Sequence, residues 1–212
     1  MQMKLVFTFL LLIFGLNSVS FSQTYNQLSA TDAVSGILQT LPSLANEKGV
    51  VLIFHDPSCP FAKLYENRIK SLVSKFQTQG MGFALVNPQA QPTDSEQSRL
   101  RTYIDESGLN MPYLIDGEQE WAQLFQVSKI PEVILLVPGK TGPELVYKGA
   151  IDNNPQVEGA VTEKYLEMET KMSPLEKGME DTFKDIDLDL KESMDEDLIR
   201  GLVRELLVAE DV

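Results

Sequence analysis

Two kinds of apolar spacing alternate along this chain. Residues 50–55 (VVLIFH) and 82–87 (GFALVN) are near-continuous apolar runs, the pattern of strands buried on both faces. Between them Phe61, Leu64, Tyr65, Ile69, Leu72, Val73 and Phe76 recur at three- and four-residue steps. That spacing predicts an amphipathic helix of about four turns, with Pro60 in its first turn, where a missing N–H costs little. A second helix is predicted over 93–108, opened by a capping box from Thr93 to Glu96 and stopped at Gly108. Residues 112–116 (PYLID) read as a short extended piece, and 117–127 as a short helix turning Trp121, Leu124 and Phe125 inward. Residues 131–137 and 144–149, joined by the turn-rich PGKTG, predict a β-hairpin. Ahead of the first strand, Thr31 and Asp32 are placed to cap a helix carrying Val34, Ile37, Leu38 and Leu41 and closed by Pro42. Behind the hairpin, Val157, Val161, Tyr165 and Met168 predict a last amphipathic helix.

The resulting order alternates strand and helix, then ends on a hairpin and a helix. It predicts an α/β fold with a mixed central sheet and helices on both faces. Composition agrees: 212 residues, 43% hydrophobic and 23% charged, suit one domain with a real core plus extensions. The extensions lie at the two ends. Lys4 precedes an apolar run of 12 residues from Leu5 to Leu16, too short to span a bilayer but of signal-peptide length. Small residues at Ser20 and Ser22 place cleavage after Ser22, so residues 1–22 read as a signal peptide and the protein as exported, periplasmic or extracellular, without a stable membrane anchor. Residues 23–172 form the expected domain. Residues 173–212 hold thirteen acidic and five basic residues, a segment charge of −8, and read as an acidic, partly helical extension. The whole chain carries a formal charge of −13, which disfavours nucleic acid and anionic lipid as partners.

The chemistry concentrates in HDPSCPFAK, residues 55–63, which holds the chain's one cysteine, Cys59, and its one histidine, His55. One cysteine rules out an intramolecular disulfide, and one cysteine with one histidine rules out a zinc site of soft or imidazole ligands. Cys59 falls between a strand and a helix start, where free N–H groups favour an anion. Lys63 lies one turn on, and a protonated His55 four residues back would also favour the thiolate; Asp56 would oppose it. His55 reads more readily as a residue that only finishes the strand.

Three separated stretches, VVLIFHDPSCPFAKLYENRI, MPYLIDGEQEWAQLFQVSKIPEVILLV and ELVYKGAIDNN, resemble the thioredoxin-like superfamily, in particular its redoxin or peroxiredoxin-like (AhpC/TSA-type) branch with a single-cysteine CPF-x-K site. The likeness covers about residues 45–170. It implies a thioredoxin-like fold with Cys59 as nucleophile and Lys63 as the basic residue after the motif. It also implies a cis-proline at Pro131 facing the cysteine, with Ile130 before it, and a hairpin-ending turn at Gly149, Asp152 and Asn153. Pro60, Phe61 and Ile130 would line the substrate groove. The departures are consistent with one another: Ala62 stands where the second cysteine would be, Lys129 where some relatives carry another, and Ile53 near the buried acid that serves a second thiol. Asp56 and Leu52 stand three and seven residues before Cys59, where a peroxidase would have hydroxyl and proline. The resemblance thus implies thiol–disulfide exchange by one cysteine, needing no bound cofactor, with a thiol or disulfide substrate and an external reducing thiol as partners. A redox-silent binding module and a one-cysteine peroxidase are the other readings.

Overall fold

The computed structural model describes Tyr25 and residues 27–140 and 142–171. The signal peptide and the acidic extension expected from the sequence lie outside the described residues. The strands are β1 (Ser29–Asp32), β2 (Leu38–Thr40), β3 (Gly49–Phe54), β4 (Met81–Asn87), β5 (Tyr113–Ile115), β6 (Glu132–Gly139) and β7 (Gly142–Gly149). They form one seven-stranded sheet in the order β2-β1-β5-β4-β3-β6-β7. The helices are α1 (Leu41–Leu44), α2 (Pro60–Phe76), α3 (Asp94–Ser107) and α4 (Glu120–Leu124), with residues 165–171 helical as well.

The centre of the sheet is parallel, β3 beside β4 and β4 beside β5, while β6 runs antiparallel to β3 and pairs with β7 in the hairpin. The continuous apolar runs follow from this arrangement. Val51 and Ile53 join a core under α2, α3 and Leu166; Val50, Leu52 and Phe54 join a second core under α1 and α4. A strand covered on both faces has no position for a polar residue. Gly49 opens β3 at φ 120°, and a Cβ there would lie 2.1 Å from the Leu136 carbonyl, so β3 and β6 come this close only through glycine.

The structure corrects the reading of the N-terminus. Residues 29–40 form a β-hairpin rather than a capped helix. The Asp32 carboxylate accepts the Val34 and Ser35 N–H groups at 3.0 and 3.1 Å, and Gly36, at φ 74°, donates to the Asp32 carbonyl. This turn chemistry overrides the helical spacing of Val34, Ile37 and Leu38, and the last two end up exposed. Pro42 sits in the first turn of α1 and does not close a helix. Asp32 also accepts the Tyr113 N–H at 2.8 Å, which ties the hairpin to β5. Asp32→Ala strands three backbone donors and is expected to lower stability by about 2 kcal/mol in urea unfolding, with Asp32→Asn recovering part of the loss.

Two further expectations change. The chain from Val157 to Ala160 is a single 3-10 turn with Val157 exposed, and helix resumes only at residue 165, with Leu166 and Thr170 buried in place of the predicted stripe. Asn153 explains the interruption, because its side chain accepts the Thr162 and Glu163 N–H groups and holds that segment extended. The capping box of α3 is half formed. Thr93 accepts the Glu96 N–H, but the Glu96 carboxylate turns to the Arg99 guanidinium one turn on.

Candidate functional site

Cys59 is the N-cap of α2, and Pro60 is its first helical residue. The approach is a tight turn: the Cys59 N–H donates to the Asp56 carbonyl at 3.0 Å, and the Ser58 N–H to the Asp56 carboxylate at 2.8 Å. An aspartate followed by proline has both features such a turn needs, a short side-chain acceptor and a preset φ. Cys59 is partly exposed as a residue, and its carbonyl accepts the Lys63 N–H, the first hydrogen bond of the helix. Lys63 itself is exposed.

Facing the thiol is the loop between α4 and β6. The Ile130–Pro131 bond is cis, and the Ile130 carbonyl stands 3.5 Å from Cys59 Sγ, within reach of the S–H. Glu132, buried at the start of β6, accepts the Ser128 N–H at 2.8 Å, and the Lys148 ammonium donates to the Gln126 carbonyl at 2.6 Å. Glu132 and Lys148 thus pin the loop from both strands of the hairpin. Neither stood out in the sequence, since a lone glutamate after proline carries no signal of its own.

Phe61 and Leu64 do not face the core as the periodicity suggested. The buried stripe of α2 runs through Ala62, Tyr65, Ile69, Leu72, Val73 and Phe76. Phe61 and Leu64 each precede a stripe residue by one position, roughly 100° round the helix, and are 46% and 50% exposed. With Pro60 they leave an apolar flank beside the thiol.

His55 is fully buried. Its Nδ1 lies 2.8 Å from the Tyr113 hydroxyl and its Nε2 3.2 Å from the Tyr103 hydroxyl. The Tyr103 hydroxyl donates to Glu66 at 2.7 Å. Burial lowers the imidazole to a pKa of about 4, with the Asp56 charge opposing. At neutral pH the ring is therefore uncharged, and tuning of the thiolate by an imidazolium, expected from the sequence, is not available there. Burial, together with the Glu66 contact, raises Tyr103 well above the usual phenol range, and burial does the same for Tyr113, so both hydroxyls keep their protons.

The sequence profile of the AhpC/TSA family matches residues 23–143, more than half of the chain. The protein belongs to the AhpC/TSA family. No curated protein matches it. Solved structures agree on the fold. A conserved uncharacterised protein from Geobacillus kaustophilus is 23% identical, with a TM-score of 0.54 over 60% of this chain and 67% of its own. A hypothetical protein from Sinorhizobium meliloti 1021 is also 23% identical, with a TM-score of 0.55 over 68% and 77%. The solution structure of a thioredoxin-like protein in its oxidised form is 17% identical, with a TM-score of 0.55 over 74% of this chain and 99% of that one. The α/β thioredoxin-like fold inferred from the sequence is the fold this AhpC/TSA-family chain has.

Within that fold the departures from a two-cysteine site occupy defined places. Ala62 is fully buried in the first turn of α2, and Ile53 is fully buried in β3. Lys129 is exposed beside Ile130. Among the described residues no group of histidine, cysteine and carboxylate side chains is placed to hold a metal ion, and no helix is long and apolar enough to cross a membrane.

Proposed function

We propose that this AhpC/TSA-family protein is an exported thiol oxidoreductase that works with Cys59 alone. The observation that carries the reading is the placement of the partly exposed residue Cys59 at the N-terminus of a 17-residue helix, its Sγ 3.5 Å from the carbonyl of the cis Ile130–Pro131 pair. A helix N-terminus favours a thiolate, which is the nucleophile in disulfide exchange. The Cys59 thiolate attacks one sulfur of a substrate disulfide; a mixed disulfide forms and the other sulfur leaves as thiolate. An external thiolate then attacks the substrate-side sulfur, leaves with it as a disulfide and returns Cys59 to its thiolate. Pro60, Phe61 and Ile130 supply the surface on which the substrate lies, and Lys63 adds a positive charge one turn from the sulfur. Pro131 shapes the facing loop.

The reduced protein incubated with a peptide disulfide is expected to gain, by intact mass, one peptide thiol on Cys59, and to lose it on adding excess glutathione. Cys59→Ser is expected to show neither step. A wild-type protein that traps no adduct would overturn the proposal. The buried Ala62, which leaves no resolving thiol in α2, favours a second reading, a redox-silent module that binds an extended peptide on the same surface. Peptide binding undiminished in Cys59→Ser, with no adduct, would establish that reading instead.

A further inference from the structure

The hydrogen-bond string around His55 has a definite direction. Tyr103 has one proton, and the Glu66 carboxylate, an acceptor only, takes it at 2.7 Å. The Tyr103 oxygen can therefore only accept from His55 Nε2, so the ring proton sits on Nε2. Nδ1 is left with its lone pair, and the Tyr113 hydroxyl donates to it at 2.8 Å. The Asn87 amide closes the string by donating to the Tyr113 oxygen at 3.5 Å. Every polar atom of the imidazole is used, in one tautomer.

Five elements meet here: the end of β3 in His55, α2 in Glu66, the end of β4 in Asn87, α3 in Tyr103 and β5 in Tyr113. Beyond them, the Asp56 charge in its own loop acts on the ring, and Arg99 on α3 is coupled to Asp56 and Tyr113. His55 is also held by its backbone, with its N–H on the Val86 carbonyl at 2.9 Å and its carbonyl 3.1 Å from the Tyr113 hydroxyl. The next residue begins the hydrogen-bonded turn that ends at Cys59, so three residues tied by two hydrogen bonds join His55 to the thiol-bearing residue.

We infer that His55 is a positioning residue for Cys59: an imidazole locked as its Nε2–H tautomer between Tyr103 and Tyr113, which sets where the Asp56–Cys59 turn leaves the sheet. The inference rests on Cys59 being the reactive group. It replaces the electrostatic role suggested by sequence with a geometric one. The Tyr113 hydroxyl has a second acceptor within reach, the His55 carbonyl. A proton added at Nδ1 would turn that hydroxyl from the ring to the backbone, so the same string passes a change at the ring to the start of the turn.

The test uses the full chain, in which a single histidine makes the assignment unambiguous. Long-range proton–nitrogen correlation spectra at pH 7 are expected to show a protonated Nε2 and a bare Nδ1. Glu66→Gln, at a half-exposed position, removes the obligate acceptor of the Tyr103 proton and is expected to give a mixture of tautomers in a folded protein. Iodoacetamide alkylation of Cys59, measured well below the thermal midpoint, is expected to slow about tenfold in His55→Leu and about threefold in Tyr103→Phe. His55→Gln, whose amide replaces the Nε2–H donor, is expected to stay within about threefold of wild type. An Nδ1–H ring in the wild-type protein would overturn the inference. So would alkylation rates in His55→Leu and Tyr103→Phe that stay within about twofold of wild type. Alkylation and tautomer are read without any disulfide substrate, so a failure of exchange by Cys59 would count against the proposed function and leave this test standing.

Discussion

The unfolding free energy is expected to fall by about 3 kcal/mol more in wild-type protein than in His55→Gln as pH drops from 6.5 to 4. The sign follows from the burial of the imidazole. In the folded chain His55 titrates at about 4, whereas an unfolded histidine titrates near 6.5. Between those values the unfolded state binds the extra proton and the folded state does not, so stability rises with pH through this window. Above pH 6.5 the contribution is fully present, and below pH 4 it is fully lost. Carboxylates titrate in the same range, so the informative quantity is the difference between the two proteins, not the slope of either. Urea unfolding at half-unit pH steps supplies it, and parallel slopes would show that the ring ionises freely in the fold. The same burial that makes His55 sensitive to acid keeps the ring neutral where Cys59 is to react.

Asp152→Ala is expected to lower stability by about 3–5 kcal/mol, enough to reduce the thermal midpoint by about 10 °C. Asp152 and Arg68 form an ion pair at 2.5 Å, with side chains only 3% and 9% exposed. The guanidinium donates further to the Asn154 and Pro155 carbonyls, and stacks 3.9 Å from the centre of the Tyr65 ring. The Tyr65 hydroxyl donates to the second Asp152 oxygen, and burial with that carboxylate pushes the phenol up to about 12. Removing the carboxylate leaves a buried cation without its partner, which costs more than the pair contributes. The double variant Arg68→Met with Asp152→Leu removes both charges and is expected to recover most of the loss. Differential scanning calorimetry of the three proteins checks the order. Equal midpoints for Asp152→Ala and the double variant would show that the segment after β7 yields and exposes Arg68 to water. The pair matters to the site because it clamps α2, the helix that Cys59 opens, to the segment that follows the hairpin.

The central strands, α2, α3 and the closing hairpin could be placed from sequence because their periodicities are long and each agrees with its flanking caps and turns. Residues 50–55 and 82–87 needed no tertiary information, since only a strand covered on both faces tolerates such runs. The N-terminal hairpin was not legible. Val34, Ile37 and Leu38 have helical spacing, but the Asp32, Ser35 and Gly36 turn is closed by hydrogen bonds, one of which reaches Tyr113, 81 residues away. Asp152 was singled out as part of a turn, yet its partner Arg68 sits on the helix Cys59 opens. An arginine among apolar helix positions reads as surface until the acid that neutralises it is brought in from 84 residues on.

The candidate site divides in the same way. Local sequence was enough to set Cys59 at a strand-to-helix junction with Pro60 behind it, because turn, cap and helix pattern all lie within about twenty residues. The facing of Cys59 by Ile130 was implied by the family resemblance but by no local pattern; its 3.5 Å geometry, the exposure of Phe61 and Leu64 and the neutrality of His55 were decided only by tertiary structure. Each depends on what the remote chain places alongside: a carbonyl from position 130, a core that takes the Ala62–Phe76 stripe and leaves the flank of α2 exposed, and two tyrosines and a glutamate from three other elements. Charge and burial are properties of a surrounding, and a surrounding is assembled only when the chain folds.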